Sequence, residues 1–442
     1  MSPLVTPPFA PRGGTADDDA LPELFATTEL GLTPDDYAEL LASKRGNDER
    51  IAVHVRLPFC PSRCLNCDHH TTVTHNSEAI DEYIVDLERE ISMVTDRIGR
   101  GRTLTQLHLG GGTPNYLSDT QLVQLMDVID RHFHLDSDTE ASLEANPKRC
   151  SPSQLTLLRG LGFGTLDLQI RDRDSAVQLA IGRSHSLSVL EDVIGSARSE
   201  GFETISMDLV YGLPNQSVET VHGTVKHMIG LNPDRIMCQT FSPRPSVFKH
   251  QRALDAEGLP SLADKVAMFN TASETLMDSG YEWVGLDCFA REHDALARAK
   301  HAGHLHRNWV GYTDRDTGDL YGFGADAITQ LREANVQNKV QLGEWHEALH
   351  QGELPLCTGE RISESEQRQL AALNTLLCNL ELSDYGDLLE DSTLLKELAK
   401  QGFVEISDDK VSVTEYGRFA LHQRWSDASP HYRATRGMAL AS

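Results

Sequence analysis

The chain has 442 residues, 66 acidic against 40 basic side chains, a net charge of −26 and 39% hydrophobic residues. That length supports a large core and more than one domain, and that charge argues against general affinity for nucleic acid phosphates or an anionic membrane surface. No apolar run reaches the roughly 18 residues of a spanning helix, and the start M-S-P-L-V-T-P-P-F-A-P-R lacks the basic-then-apolar order of a secretory signal.

Residues 1–20, rich in Pro, Gly, Thr and Asp, read as a disordered or loosely attached lead. Two helix-like pieces follow within 21–47. In the second, Thr33 is a cap, Pro34 suits a first turn, and Asp35 and Asp36 precede the apolar run from Tyr37. From 51 to about 290, short apolar strands alternate with amphipathic helices. The strands are expected at 52–57, 105–110, 139–145, 164–170, 203–210 and 235–241. The helices are expected near 77–98, 118–133, 151–160, 186–200, 216–230 and 261–279. Six β-α units in series predict a parallel sheet with right-handed crossovers, as an open α/β sheet or a partial barrel. In either, ligand residues gather at the carboxyl ends of the strands.

The first strand alternates Val53, Val55 and Leu57 and stops at Pro58, which has no N–H for a ladder. The loop after it carries Cys60, Cys64 and Cys67 as C-x3-C-x2-C. Soft thiolates converging on one point select zinc or an iron–sulfur centre. Structural zinc and iron–sulfur cubes ordinarily take four ligands, so three cysteines leave one metal corner without a thiolate. A Cys3His zinc set using His69 or His70 is the competing reading. The other five cysteines (Cys150, Cys238, Cys288, Cys357 and Cys378) are scattered and read as buried thiols in a reducing cytoplasm.

The ends of the later strands are also unusual. Gly110-Gly111-Gly112-Thr113-Pro114 follows the second, where glycines let backbone approach a ligand. Glu144 ends the third, a carboxylate able to accept two ribose hydroxyls. Gln169 and Arg171 end the fourth, Arg183 follows a short helix, and Asp208 ends the fifth. One such charge is unremarkable, but the series favours a ligand site. Residues 281–330 hold aromatic and glycine-rich turns that either close over a site or form an ordinary connection. His304 and His306 alternate there without a carboxylate or cysteine at matching spacing, a weak case for metal. From about 360 to 425 the chain turns mostly helical. It ends in a winged-helix outline: a helix stopped by Gly402, a strand pair across Asp408-Asp409-Lys410, and a further helix. The helix at 392–401 has two Lys against one Glu, which suits a structural or substrate-covering lid better than DNA reading.

The cysteine loop resembles the signature of radical S-adenosylmethionine (SAM) enzymes. From about 50 to 425 the chain is similar to one branch of them, the oxygen-independent coproporphyrinogen III oxidase (dehydrogenase) family. The matching segments are P-F-C-P-S-R-C-L-N-C, L-H-L-G-G-G-T-P-N-Y-L, M-D-L-V-Y-G-L-P-N-Q, L-N-P-D-R, G-L-D-C-F-A-R and L-H-R-N-W-V-G-Y-T. The resemblance implies a partial (β/α)6 barrel with a C-terminal, mostly helical, winged-helix-like domain. It divides the chain into a lead at 1–48, the barrel at 49–290, a connecting and site-covering segment at 291–355 and the C-terminal domain at 356–442. It implies a 4Fe–4S cluster on Cys60, Cys64 and Cys67, whose fourth iron binds SAM. It places one SAM, and in the family a second, among His54, Gly111, Gly112, Thr113, Glu144, Arg171, Arg183, Asp208, Ser242 and Ile328. The implied reaction is oxidative decarboxylation of two propionates of coproporphyrinogen III to vinyls, giving protoporphyrinogen IX for anaerobic haem synthesis. A cytoplasmic monomer with a tetrapyrrole substrate and an electron donor such as flavodoxin or ferredoxin goes with it.

The chain departs from the family pattern at several positions. His54 stands for Tyr, Asn66 for Phe, Asp68 for Gly, His69 for an extra Cys, Arg171 for Gln and Val310 for Gln, and an N-terminal segment that covers the family's active site is absent. Arg171 and Arg173 could fork onto the carboxylates of an acidic tetrapyrrole, or pair with surface acids. Three readings follow: a coproporphyrinogen III dehydrogenase; a paralogue that cleaves SAM but acts on another substrate or transfers methyl groups; and a non-catalytic haem- or cluster-binding protein.

Overall fold

The computed structural model describes residues 31–184, 187–256, 258–316, 318–383, 393–407 and 410–428. The expected lead at 1–20, residues 21–30 and the turn at Asp408-Asp409 lie outside them. Helix α1 (Pro34–Ser43) starts as the sequence indicates: the Thr33 side chain accepts from the Asp36 N–H, and Pro34 fills the first turn.

Six parallel strands then pair in chain order. They are β1 (Ile51–Leu57), β2 (Arg102–Gly111), β3 (Glu140–Ala145), β4 (Thr165–Arg171), β5 (Thr204–Tyr211) and β6 (Arg235–Thr240). The intervening helices are α2 (Ser77–Ile98), α3 (Asp119–His132), α4 (Pro152–Gly160), α5 (Leu187–Ser199) and α6 (Val218–Leu231); α7 (Leu262–Asp278) follows β6. This is the partial (β/α)6 barrel. Every residue of β1 is buried, which is why its sequence is apolar on one face and still closed to solvent on the other. One continuous core joins the strands to the inward faces of the helices.

Beyond β1 the sheet continues with β7 (Leu320–Phe323), which pairs with β1 in parallel and places Gly322 beside His54. The sequence reading had no strand there. At the other edge, Cys288–Arg291 runs antiparallel to β6. Helix α8 (Leu342–His350) packs on α2, and α9 (Glu364–Asn379) leads to the winged-helix outline. In that outline Val404–Ile406 pairs with Lys410–Val413, which also pairs with Glu381–Ser383. The helix Thr393–Lys400 packs Leu395 and Leu398 against Phe403 and Val411 in a separate small core. Among the described residues no helix is long and apolar enough to cross a membrane.

Candidate functional site

A cavity of about 1370 Å³ opens at the carboxyl ends of β1–β6. The three cysteines sit in its wall on one closed loop. Phe59–Cys60 forms a short parallel ladder with Thr72–Val73, which fixes the two ends of the loop. The Leu65 N–H donates to the Ile181 carbonyl, and the side chains of His250 and Gln251 donate to the Cys67 carbonyl at 2.7 and 3.0 Å. The short helix Lys249–Ala253 that supplies those two groups carried no signal in the sequence.

Each thiol has a distinct neighbour. The Thr113 hydroxyl donates to Cys60 Sγ at 3.4 Å, Arg183 Nη1 lies 3.9 Å from Cys64 Sγ, and Cys67 Sγ is 3.6 Å from the His69 carbonyl. Burial pushes the Cys67 thiol up to about 12 and raises Cys60 as well. A single zinc ion with thiolates about 2.3 Å away would draw the sulfurs to roughly 4 Å of one another. Among the described residues the three cysteines, with or without a histidine, form no group whose ligand atoms lie within 4.8 Å of each other. Three soft donors on one cavity wall fit an iron–sulfur group with one iron free of a thiolate. Among the described residues His304 and His306 also belong to no metal-spaced group; His306 lines the cavity.

The glycine turn locks onto the cysteine loop through backbone. The Gly112 N–H donates to the Leu57 carbonyl at 2.8 Å and the Thr113 N–H to that of Phe59 at 2.9 Å. A Cβ on Gly112 would stand 2.7 Å from both carbonyl oxygens, so only glycine permits this approach.

Glu144 leaves β3 facing the cavity and accepts from Gln169 Nε2 at 2.8 Å. Burial alone would raise its carboxyl. The charge of His108, whose Nε2 is 3.6 Å away, outweighs burial and holds Glu144 at about 2. At that distance the contact is an ion pair rather than a hydrogen bond. Sequence reading missed His108, although a histidine inside the apolar run L-H-L was a readable sign.

Arg171 stands at the end of β4, where the register slips between Leu168 and Arg171 and its own φ is 73°. A left-handed conformation at a non-glycine residue is costly and clusters at functional sites. It aims Nη1 at Asp208 Oδ2 (3.2 Å) and Gln239 Oε1 (3.1 Å). Burial raises Asp208 to about 6, with the Arg171 charge opposing. Asp208 lies inside β5 rather than at its end, since the strand runs on to Tyr211. Arg183 reaches back to the Gln169 carbonyl at 2.8 Å.

Of the expected SAM residues, His54, Gly111, Gly112, Thr113, Glu144, Arg171, Arg183, Asp208 and Ile328 line the cavity. Ser242 does not, although Phe241 and Arg244 on either side of it do. Arg173 does not either. It is exposed and lies against Gly223 of α6, because it falls beyond the end of β4 at Arg171, where the strand no longer sets the side-chain direction. Buried polar atoms without a protein partner border the cavity: His54 Nδ1, Asn66 Oδ1 and Arg171 Nε. Such atoms suit a polar ligand.

The Radical SAM superfamily profile matches residues 55–228. Oxygen-independent coproporphyrinogen III oxidases of Salmonella typhimurium and Escherichia coli are each 32% identical, over 88% and 87% of this chain and 87% of theirs. That of Pseudomonas aeruginosa is 31% identical over 88% of both chains. The solved structure of Escherichia coli coproporphyrinogen III oxidase, described as a radical SAM enzyme, matches with a TM-score of 0.82 at 30% identity, covering 91% of this chain and 93% of that one.

Proposed function

The chain belongs to the oxygen-independent coproporphyrinogen III oxidase family of radical SAM enzymes, and from that premise we propose which of its residues carry the reaction. The reaction is oxidative decarboxylation of coproporphyrinogen III to protoporphyrinogen IX. The observation that carries the assignment is the three-cysteine loop facing a cavity larger than the roughly 300–1,000 Å³ of an ordinary single-ligand pocket. That space suits SAM and a tetrapyrrole together.

Cys60, Cys64 and Cys67 hold the 4Fe–4S cluster. Bound cluster and SAM supply the one-electron hydrogen-abstracting chemistry. The chain's own residues bind, orient and exclude water. Glu144, kept anionic by His108 and oriented by Gln169, accepts ribose hydroxyls. The Gly111–Thr113 turn lets SAM approach the backbone. Arg183 places positive charge beside Cys64 Sγ, where the negative charge of a bound cluster would sit. His54, whose burial keeps it neutral, presents an uncharged ring nitrogen. Arg171, Arg244 and Arg307 stand on the cavity wall as forked donors for substrate carboxylates. A flavodoxin- or ferredoxin-type donor and a monomeric state complete the proposal.

One observation favours a second reading, SAM cleavage with another substrate. The substituted family positions His54, Asn66, Asp68, His69, Arg171 and Val310 all line this cavity. The test is anaerobic turnover of coproporphyrinogen III by the reconstituted, reduced protein, with tetrapyrroles identified by mass. Loss of two carboxyl groups supports the first reading, and SAM consumption with unchanged coproporphyrinogen supports the second.

A further inference from the structure

Away from the cavity, helices α2 and α8 bring together a set of side chains that the reaction does not use. Asp86 projects from α2, and His346 and His350 lie one turn apart on the facing side of α8. His346 Nδ1 is 2.5 Å from Asp86 Oδ2, and His350 Nε2 is 3.1 Å from Asp86 Oδ1. One ligand atom from each of the three lies within 4.8 Å of the others. Among the described residues no other three histidine, cysteine, aspartate or glutamate side chains do so.

We propose that Asp86, His346 and His350 form a divalent transition-metal site, with zinc as its preferred ion, that clips α8 onto α2. Two imidazoles and one carboxylate are borderline ligands, which suit zinc and its neighbours rather than magnesium or calcium. The imidazole rings are 4.1 Å apart between centroids, so two N–H groups crowd one carboxylate, and a single divalent cation replaces both protons. Metal–ligand bonds of about 2.0–2.2 Å would set the three ligand atoms, which lie within 4.8 Å of one another, a little over 3 Å apart.

The surroundings keep the site in shape. Asp86 is almost fully buried, while both histidines are half exposed, which leaves a solvent approach and room for water as fourth ligand. Arg89 donates to Asp86 Oδ1 at 2.8 Å and, being partly exposed, can keep that oxygen while the metal takes Oδ2. One turn along α2 from Asp86, Glu90 accepts from Trp345 Nε1 at 3.1 Å, so the two helices are already held at this spacing.

The test uses the anaerobically reconstituted holoprotein, whose cluster cysteines are occupied by iron. After incubation with zinc sulfate and desalting, metals are counted by mass spectrometry. The wild type is expected to retain about one zinc per chain and to unfold at a higher temperature than without zinc. His346→Gln/His350→Gln and, separately, Asp86→Asn are expected to lose the zinc and the shift while keeping their iron and their circular dichroism spectrum. No retained zinc in the wild type, or equal zinc in wild type and variants, overturns the proposal.

Discussion

The Thr113 hydroxyl donates to the sulfur of Cys60 across 3.4 Å, so the glycine turn after β2 and the cysteine loop after β1 form one unit. Gly112 is the point of closest approach in that unit. Gly112→Ala would force a methyl against the carbonyls of Leu57 and Phe59 and move the turn off the loop, at a cost of about 1–3 kcal/mol. The expected outcome is a folded protein with reduced iron content and weaker cluster absorbance, measured by iron assay and visible spectroscopy after reconstitution.

Burial would raise the Glu144 carboxyl, but His108 holds it down to about 2 and so favours its anionic form. Glu144→Gln keeps the shape and removes the charge. Losing charge-assisted hydrogen bonds to SAM of about 1.5–3 kcal/mol should weaken SAM binding roughly 10–150-fold, with iron content unchanged. Equilibrium dialysis with labelled SAM measures this.

The Arg171 charge lowers the pKa of Asp208, which burial nonetheless raises to about 6. Arg171→Met removes the opposing charge, so Asp208 should take up its proton at a pH about one unit higher. If SAM binding uses the Asp208 carboxylate, affinity in the wild type falls as pH drops through about 6. In the variant the fall should begin correspondingly higher. The pH profile of SAM affinity checks this.

Glu90 is fully buried and accepts from Gly324 N–H, Asn338 Nδ2 and Trp345 Nε1. Burial still lifts its carboxyl from the ordinary 4.5 to about 8. Between those values the folded state holds a proton that the unfolded state has lost, so stability contributed by this group falls as pH rises from 4.5 to about 8 and is flat above. Glu90→Gln should remove that slope, visible as a smaller drop in urea midpoint between pH 5 and pH 8 than the wild type shows.

The alternation of strands and helices was readable because it is a local pattern. The expected helix at 77–98 coincides with Ser77–Ile98, and the six expected strands fall within a few residues of β1–β6. The cysteine loop was readable for the same reason: its three thiols sit within eight residues. What stayed hidden depends on distant pairing. β7 reads as an aromatic turn until it lies beside β1. The His108–Glu144 contact joins neighbouring strands, and the His250 and Gln251 bonds to Cys67 cross more than 180 positions. Arg173 lies two residues beyond the end of β4, so its sequence position left open whether it meets substrate or the surface, and it is exposed.

In the proposed reaction Cys60, Cys64 and Cys67 hold a cluster with one iron open to SAM. Its most direct test is the yield of 5′-deoxyadenosine from the reconstituted protein after anaerobic reduction with SAM present. Deoxyadenosine is expected at or above one per chain, and none from Cys60→Ala, Cys64→Ala or Cys67→Ala. A wild-type protein carrying its full iron and yielding no deoxyadenosine would contradict it.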